Sequence, residues 1–166
     1  MADKAMDVYL NDHLAGAMLG SALAEQLLET NEGTPLGDVM ASIAPQIEED
    51  RKTLVGLMDR MGTSKNPVKQ ATTWVAEKAA RPKFSGLSSG DSEVGTFMAV
   101  ENLRLGVEGK VSLWKILREV SDQYGPLKST NLEDLIERAE AQRDALERER
   151  IAAGKNALGE VRDLGP

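Results

Sequence analysis

The stretch EVGTFMAVENLRLGVEGKVSLWKILREVSDQY, residues 93–124, decides the fold that this sequence predicts. It contains no proline, and its length predicts one helix of about nine turns. Its apolar residues recur at the spacing of one helix face: Phe97, Val100, Leu103, Val107, Val111, Trp114 and Leu117. A neighbouring face carries the charged residues Glu101, Arg104, Glu108 and Lys115. An apolar face bordered by charges is typical of a helical bundle with polar groups near its centre.

Two more helices are predicted before this stretch. The first runs from Asp3 or Lys4 to Thr30 and ends in Asn31-Glu32-Gly33. Thr34-Pro35 supplies a capping hydroxyl and a proline at the first helical position of the second helix, which Gly62 closes. We expect Pro45 to bend or split that helix near Ala44.

A long connection and a fourth helix complete the prediction. Asn66-Pro67 begins a short helix in the connection, on which Trp74 lies, and Ser89 or Asp91 is the expected cap of the third long helix. Thr130 and Glu133 form a capping box at the start of the fourth. The predicted fold is therefore an all-α four-helix bundle over residues 1–153, with an additional short helix between helices 2 and 3 and a flexible tail over residues 154–166.

Composition excludes several classes of function. No cysteine is present, so neither a disulfide framework nor a thiolate site is available. The net charge of −7 argues against nucleic-acid binding. The sequence contains no run of about 18 apolar residues, so it predicts no membrane span. No secretory signal is visible either, and we therefore expect a cytoplasmic protein.

The order of two long helices, a helical crossover and two more long helices resembles the ferritin-like superfamily. The resemblance covers about residues 5–153 and is closest to the small bacterial ferritin-like proteins of the YciF type. It is carried by YLNDHLAGAMLGSALAEQL (9–27), IEEDRKTLVGLMDRMG (47–62) and EVGTFMAVENLRLGVEGKVSLW (93–114). The superfamily's di-iron centre uses a Glu from each of two helices and a Glu-x-x-His from each of the others.

This sequence departs from that ligand pattern. Its one histidine, His13, lies on the first helix, and arginine stands where the motif has histidine in Glu48–Arg51 and in Glu101–Arg104. Because arginine places a fixed positive charge at a ligand position, we predict no di-iron centre and no other cofactor. We expect a layer of ion-paired side chains instead: His13, Asp50, Arg51, Glu101, Arg104, Glu108 and Arg143.

The sequence identifies no reaction, and three functions stay open. The first is a non-catalytic structural or interaction protein, stress-related functions included, that self-associates as a dimer through helix faces such as the small-residue patch 15–21. The second is an iron or manganese oxidoreductase or storage protein with a non-standard site at His13, Asp50, Glu101 and Glu108. The third is a pocket for a small apolar ligand between the helices.

Overall fold

The computed structural model describes residues 3–64 and 92–159, and these residues form helices and turns without a strand. The long helices are α1 (Lys4–Thr30), α2 (Pro35–Met61), α3 (Glu93–Glu119) and α5 (Leu132–Leu158). A 3₁₀ turn (Ser121–Gln123) and the short helix α4 (Gly125–Lys128) connect α3 to α5. The all-α prediction is confirmed. The helix predicted after Asn66, with Trp74, lies outside the described residues.

Both ends of α2 follow from the residues that the sequence places there. The Thr34 hydroxyl accepts a hydrogen bond from the Gly37 amide at 3.1 Å, and Gly62 adopts the left-handed conformation with φ of 70°. Pro45 does not split the helix, which is continuous from Pro35 to Met61. Ile43 and Ile47, on either side of the proline, are both buried, so core packing stabilises the helical path through this position.

Four other helix boundaries differ from the prediction. Helix α3 begins after Ser92, whose hydroxyl caps the Gly95 amide at 2.9 Å, and it ends at Glu119 rather than Tyr124. The cap of α5 is Asn131 and not Thr130, because the Asn131 side chain accepts from the Asp134 amide at 3.3 Å. Helix α5 continues to Leu158, so residues 154–158 of the predicted tail are helical.

Two apolar clusters give the directions of the helices. The first contains residues from the N-terminal halves of α1 and α5 and the C-terminal halves of α2 and α3, among them Leu10, Leu57, Trp114 and Ile136. The second contains the opposite halves, among them Leu27, Met40, Val100 and Leu146. Helices α2 and α3 therefore run in one direction, and α1 and α5 run in the other.

The packing of the helices on one another places buried polar residues between these two clusters. Helix α3 packs most extensively on α5, and α1 packs on α2 and α3. Asp50 of α2 and Gln142 of α5 are buried at the middle of the long helices. Among the described helices, none combines the length and hydropathy that crossing a bilayer requires.

Candidate functional site

The most buried charged group among the described residues is Asp50, whose side chain is only 1% exposed. Its Oδ2 atom accepts from the Lys110 ammonium of α3 at 2.5 Å, and its Oδ1 atom accepts from the Arg138 guanidinium of α5. A carboxylate buried alone would cost several kcal/mol, roughly, and two cations offset that cost here. Asp50 thus joins three helices at the centre of the molecule.

Gln142 completes this network. Its side-chain oxygen accepts from Lys110 at 2.5 Å, while its amide nitrogen donates to Asp50 at 3.2 Å and to Gln46 at 3.1 Å. Both ends of the amide are therefore used, and their orientation follows from the acidic and basic groups on either side. We call Asp50, Lys110, Arg138 and Gln142 the central network.

The two cations of the central network pair with one buried and one exposed carboxylate. Lys110 and Arg138 face the buried carboxylate of Asp50, and Arg138 also lies 3.4 Å from Glu49, which is mostly exposed. Burial lowers the pKa of Lys110, and the charge of Asp50 opposes that shift. The ion pair with Asp50 therefore favours the ammonium form in a place where desolvation disfavours it.

Arg51 is not a partner of Asp50, although the sequence suggested it. Its guanidinium binds both carboxylate oxygens of Glu48, one turn earlier on α2, at 2.8 and 2.6 Å. This fork-shaped contact lowers the pKa of Glu48 to about 2. Arg51 and Asp50 are adjacent in sequence, so their side chains leave the helix about 100° apart. Both border one cavity, but they bind different partners.

Four of the expected layer residues lie together at the partly exposed seam between α3 and α5. Arg104 is 3.3 Å from Glu147 and 3.8 Å from Glu108. Arg143 is also 3.8 Å from Glu108. Glu101 accepts from Arg150 at 3.1 Å. These side chains do not reach the central network, and water screens their interactions.

His13 lies on α1 and borders a cavity that Asp50 also borders, whereas Glu101 and Glu108 do not line this cavity. Its ring packs edge-on against Tyr9, with 4.6 Å between the ring centroids. Burial lowers the pKa of His13, and the charge of Asp12 partly opposes the shift. No three His, Cys, Asp or Glu side chains within residues 3–64 and 92–159 form a group that could hold a metal ion.

Sequence reasoning identified Asp50 but missed its three partners. Lys110 lies three residues after Val107 and four before Trp114, so a lysine occupies a position of the apolar face. Gln142 likewise lies three residues after Ala139 and four before Leu146, on the inner face of α5. The prediction placed Arg143 on that face instead. A polar residue at an apolar position of the helical repeat was the signal that could have identified Lys110 and Gln142. On α5 the predicted residue, Arg143, is one position after the residue that is buried, Gln142.

No family model, curated protein or solved structure gives a significant match to this chain.

Proposed function

We propose that this chain is a non-catalytic helical bundle of ferritin-like arrangement, in which an ion-pair network takes the place of a metal centre. The observation that carries the proposal is the satisfaction of both Asp50 oxygens by the cations Lys110 and Arg138 and by Gln142. A metal ion at Asp50 would have to displace both cations and lie beside their charges.

The ferritin-like arrangement is supported by helix direction. In such bundles a single long crossover joins helices 2 and 3, so these two helices run in the same direction. The apolar clusters give α2 and α3 this relation. A helical scaffold of this kind suits a structural or interaction role.

Metal titration tests the proposal that the ion-pair network takes the place of a metal centre. We expect protein from metal-supplemented cells to contain no stoichiometric iron, manganese or zinc, and calorimetric titration with Fe²⁺ or Mn²⁺ to give no saturable site. Asp50→Asn is the matched control, since ions that bind only at the surface are indifferent to it. Two bound ions per chain that Asp50→Asn abolishes would refute the proposal and favour the metal-carboxylate alternative.

We further propose that the chain self-associates through α3. Four exposed apolar side chains lie on one face of this helix, at Val94, Met98, Leu105 and Ile116. Val94 and Ile116 are each eleven residues from Leu105. An antiparallel copy centred on Leu105 would therefore bring each Val94 against an Ile116, as a two-fold symmetric interface requires.

Sedimentation analysis tests this interface. We expect the native chain to be a dimer and Leu105→Glu to be a monomer, because the substitution places two carboxylates face to face on the symmetry axis. Val8→Glu is the matched control: Val8 is 65% exposed but lies on α1, so this variant should stay dimeric. A monomeric native protein would contradict the proposal.

A further inference from the structure

A cavity of about 210 Å³ lies between α1, α2 and α3. Its apolar walls are formed by Ile47, Leu54, Leu103, Val107, Leu113 and Trp114. The polar side chains of Asp12, His13 and Arg51 also border it. It reaches the surface between α1 and α3, where Gly16 and Gly106 are exposed. At its inner end lie Asp50 and Lys110 of the central network.

Four glycines create this space. Gly16 and Gly20 border the cavity from α1, and Gly106 and Gly109 border it from α3. A β-carbon added at any of them would meet no atom within 4 Å. Close packing of helices therefore does not explain glycine at these four positions. Each glycine costs up to about 1 kcal/mol relative to alanine within a helix.

Two unused hydrogen-bond donors on cavity-lining residues point to a ligand. The Trp114 side chain is 1% exposed, and its indole N–H has no acceptor among the described residues. The Lys110 ammonium has three N–H groups, and two described acceptors, Asp50 and Gln142, engage it. Lys110 and Trp114 are one turn apart on α3. A buried donor without an acceptor is costly, so a ligand that supplies one gains affinity.

We propose that the cavity binds a small monocarboxylate with a compact apolar body. The carboxylate would accept from the third N–H group of Lys110 and from the Trp114 indole, the two donors for which the described residues supply no acceptor. Asp50 keeps Arg138 and Gln142 as partners in this arrangement. The apolar body would pack against the leucine, isoleucine and valine walls.

The size of the cavity limits the ligand. An apolar cavity of about 150 Å³ accommodates benzene, and the cavity here is about 210 Å³. One ring with a carboxylate therefore fits. The volume is below the roughly 300 Å³ at which pockets for drug-sized ligands begin, so the enclosed part of a ligand is small. This inference goes beyond the scaffold role and does not depend on it.

Proton NMR titration with benzoate, benzyl alcohol and acetate tests the proposal. The chain has one histidine and two tryptophans, so the His13 ring signals are unambiguous, and Trp74→Phe identifies the Trp114 indole proton. We expect saturable shifts of both with benzoate. Benzyl alcohol, which has the ring but no charge, and acetate, which has the charge but no ring, should each bind at least about tenfold more weakly.

Two variants locate the binding. Gly109→Leu fills the cavity and should abolish benzoate binding, whereas Gly56→Leu, on α2 and outside the cavity lining, should leave it unchanged. Lys110→Met should remove the preference for benzoate over benzyl alcohol. The absence of saturable benzoate shifts, equal affinity of the native chain for benzyl alcohol, or unchanged binding by Gly109→Leu would each overturn the proposal.

Discussion

At the scale of single residues, the position of Asp50 determines which other charges become interior. It lies between the buried Ile47 and Leu54 on α2, so its carboxylate has no access to water. Lys110 and Arg138 are in consequence drawn into the bundle, although both have long side chains that ordinarily extend to solvent. Two bases on two other helices thus offset the desolvation cost of one buried acid.

Asp50→Ala tests this dependence. The substitution leaves Lys110 and Arg138 close together without their common carboxylate, so we expect the free energy of unfolding to fall by about 3–5 kcal/mol. Urea denaturation measures the loss. Glu140→Ala is the matched control, since Glu140 also pairs with a lysine of α3, Lys115, at 2.6 Å, but near the surface. Its effect should be much smaller, and equal losses would contradict a special role for burial.

A second residue-scale prediction concerns acid stability. The hydrogen bonds from Arg51 hold the pKa of Glu48 at about 2, against 4.5 for a free glutamate. Between these values the unfolded chain binds the proton and the folded chain does not. The stabilisation by Glu48 is therefore complete above about pH 4.5 and is lost as the pH falls through about 2. Because the pair is partly exposed, salt should weaken the effect.

Urea denaturation at a series of acidic pH values measures this loss. We expect Glu48→Gln to lose less stability on acidification than the native chain does. Arg51→Gln should behave in the same way, because it removes the partner that lowers the pKa. Identical pH dependence in the native chain and both variants would show that this pair does not contribute to acid stability.

At the scale of helices, local chemistry made much of the fold predictable. Thr34, Pro35 and Gly62 bound α2 as expected because capping depends on residues within one turn. The partners of Asp50 were not predictable in the same way. A shift of one residue, from Gln142 to Arg143, rotates a side chain by about 100°, and periodicity alone does not define the inner face that finely. Tertiary packing decides between such neighbours.

Glycines within the helices give a prediction at this scale. Gly106→Ala should raise the free energy of unfolding by about 0.5–1 kcal/mol, because a β-carbon has free space there and alanine is the better helix former. Gly37→Ala should destabilise the chain, since its β-carbon would lie 2.0 Å from the Asn31 carbonyl oxygen. Thermal denaturation of the two variants measures both effects, and a change of the same sign in both would contradict this interpretation.

At the scale of the whole molecule, the central network divides the interior into two apolar clusters. Such a network does not have to be the most stable arrangement, because well-packed apolar residues can replace buried ion pairs. The network then contributes by fixing how the helices are aligned along their length. We infer that the network fixes which turns of α2, α3 and α5 lie opposite one another.

Replacing the network as a unit tests this inference. The combined substitution Asp50→Leu, Lys110→Met, Arg138→Met and Gln142→Leu should leave stability unchanged or raise it by about 1–4 kcal/mol. We expect broader amide signals in its NMR spectrum, because alternative helix alignments become accessible. A variant that is both less stable and uniquely packed would show that the network serves stability rather than alignment.

The origin of the contacts of Asp50 has a consequence for how the chain folds. Its carboxylate belongs to the hairpin of α1 and α2, whereas Lys110, Arg138 and Gln142 all belong to the hairpin of α3 and α5. Each hairpin can form from near neighbours in sequence before the two meet. We expect these hydrogen bonds to form when the two hairpins dock, late on the pathway. Substitution of Asp50 should consequently accelerate unfolding while leaving the refolding rate almost unaltered.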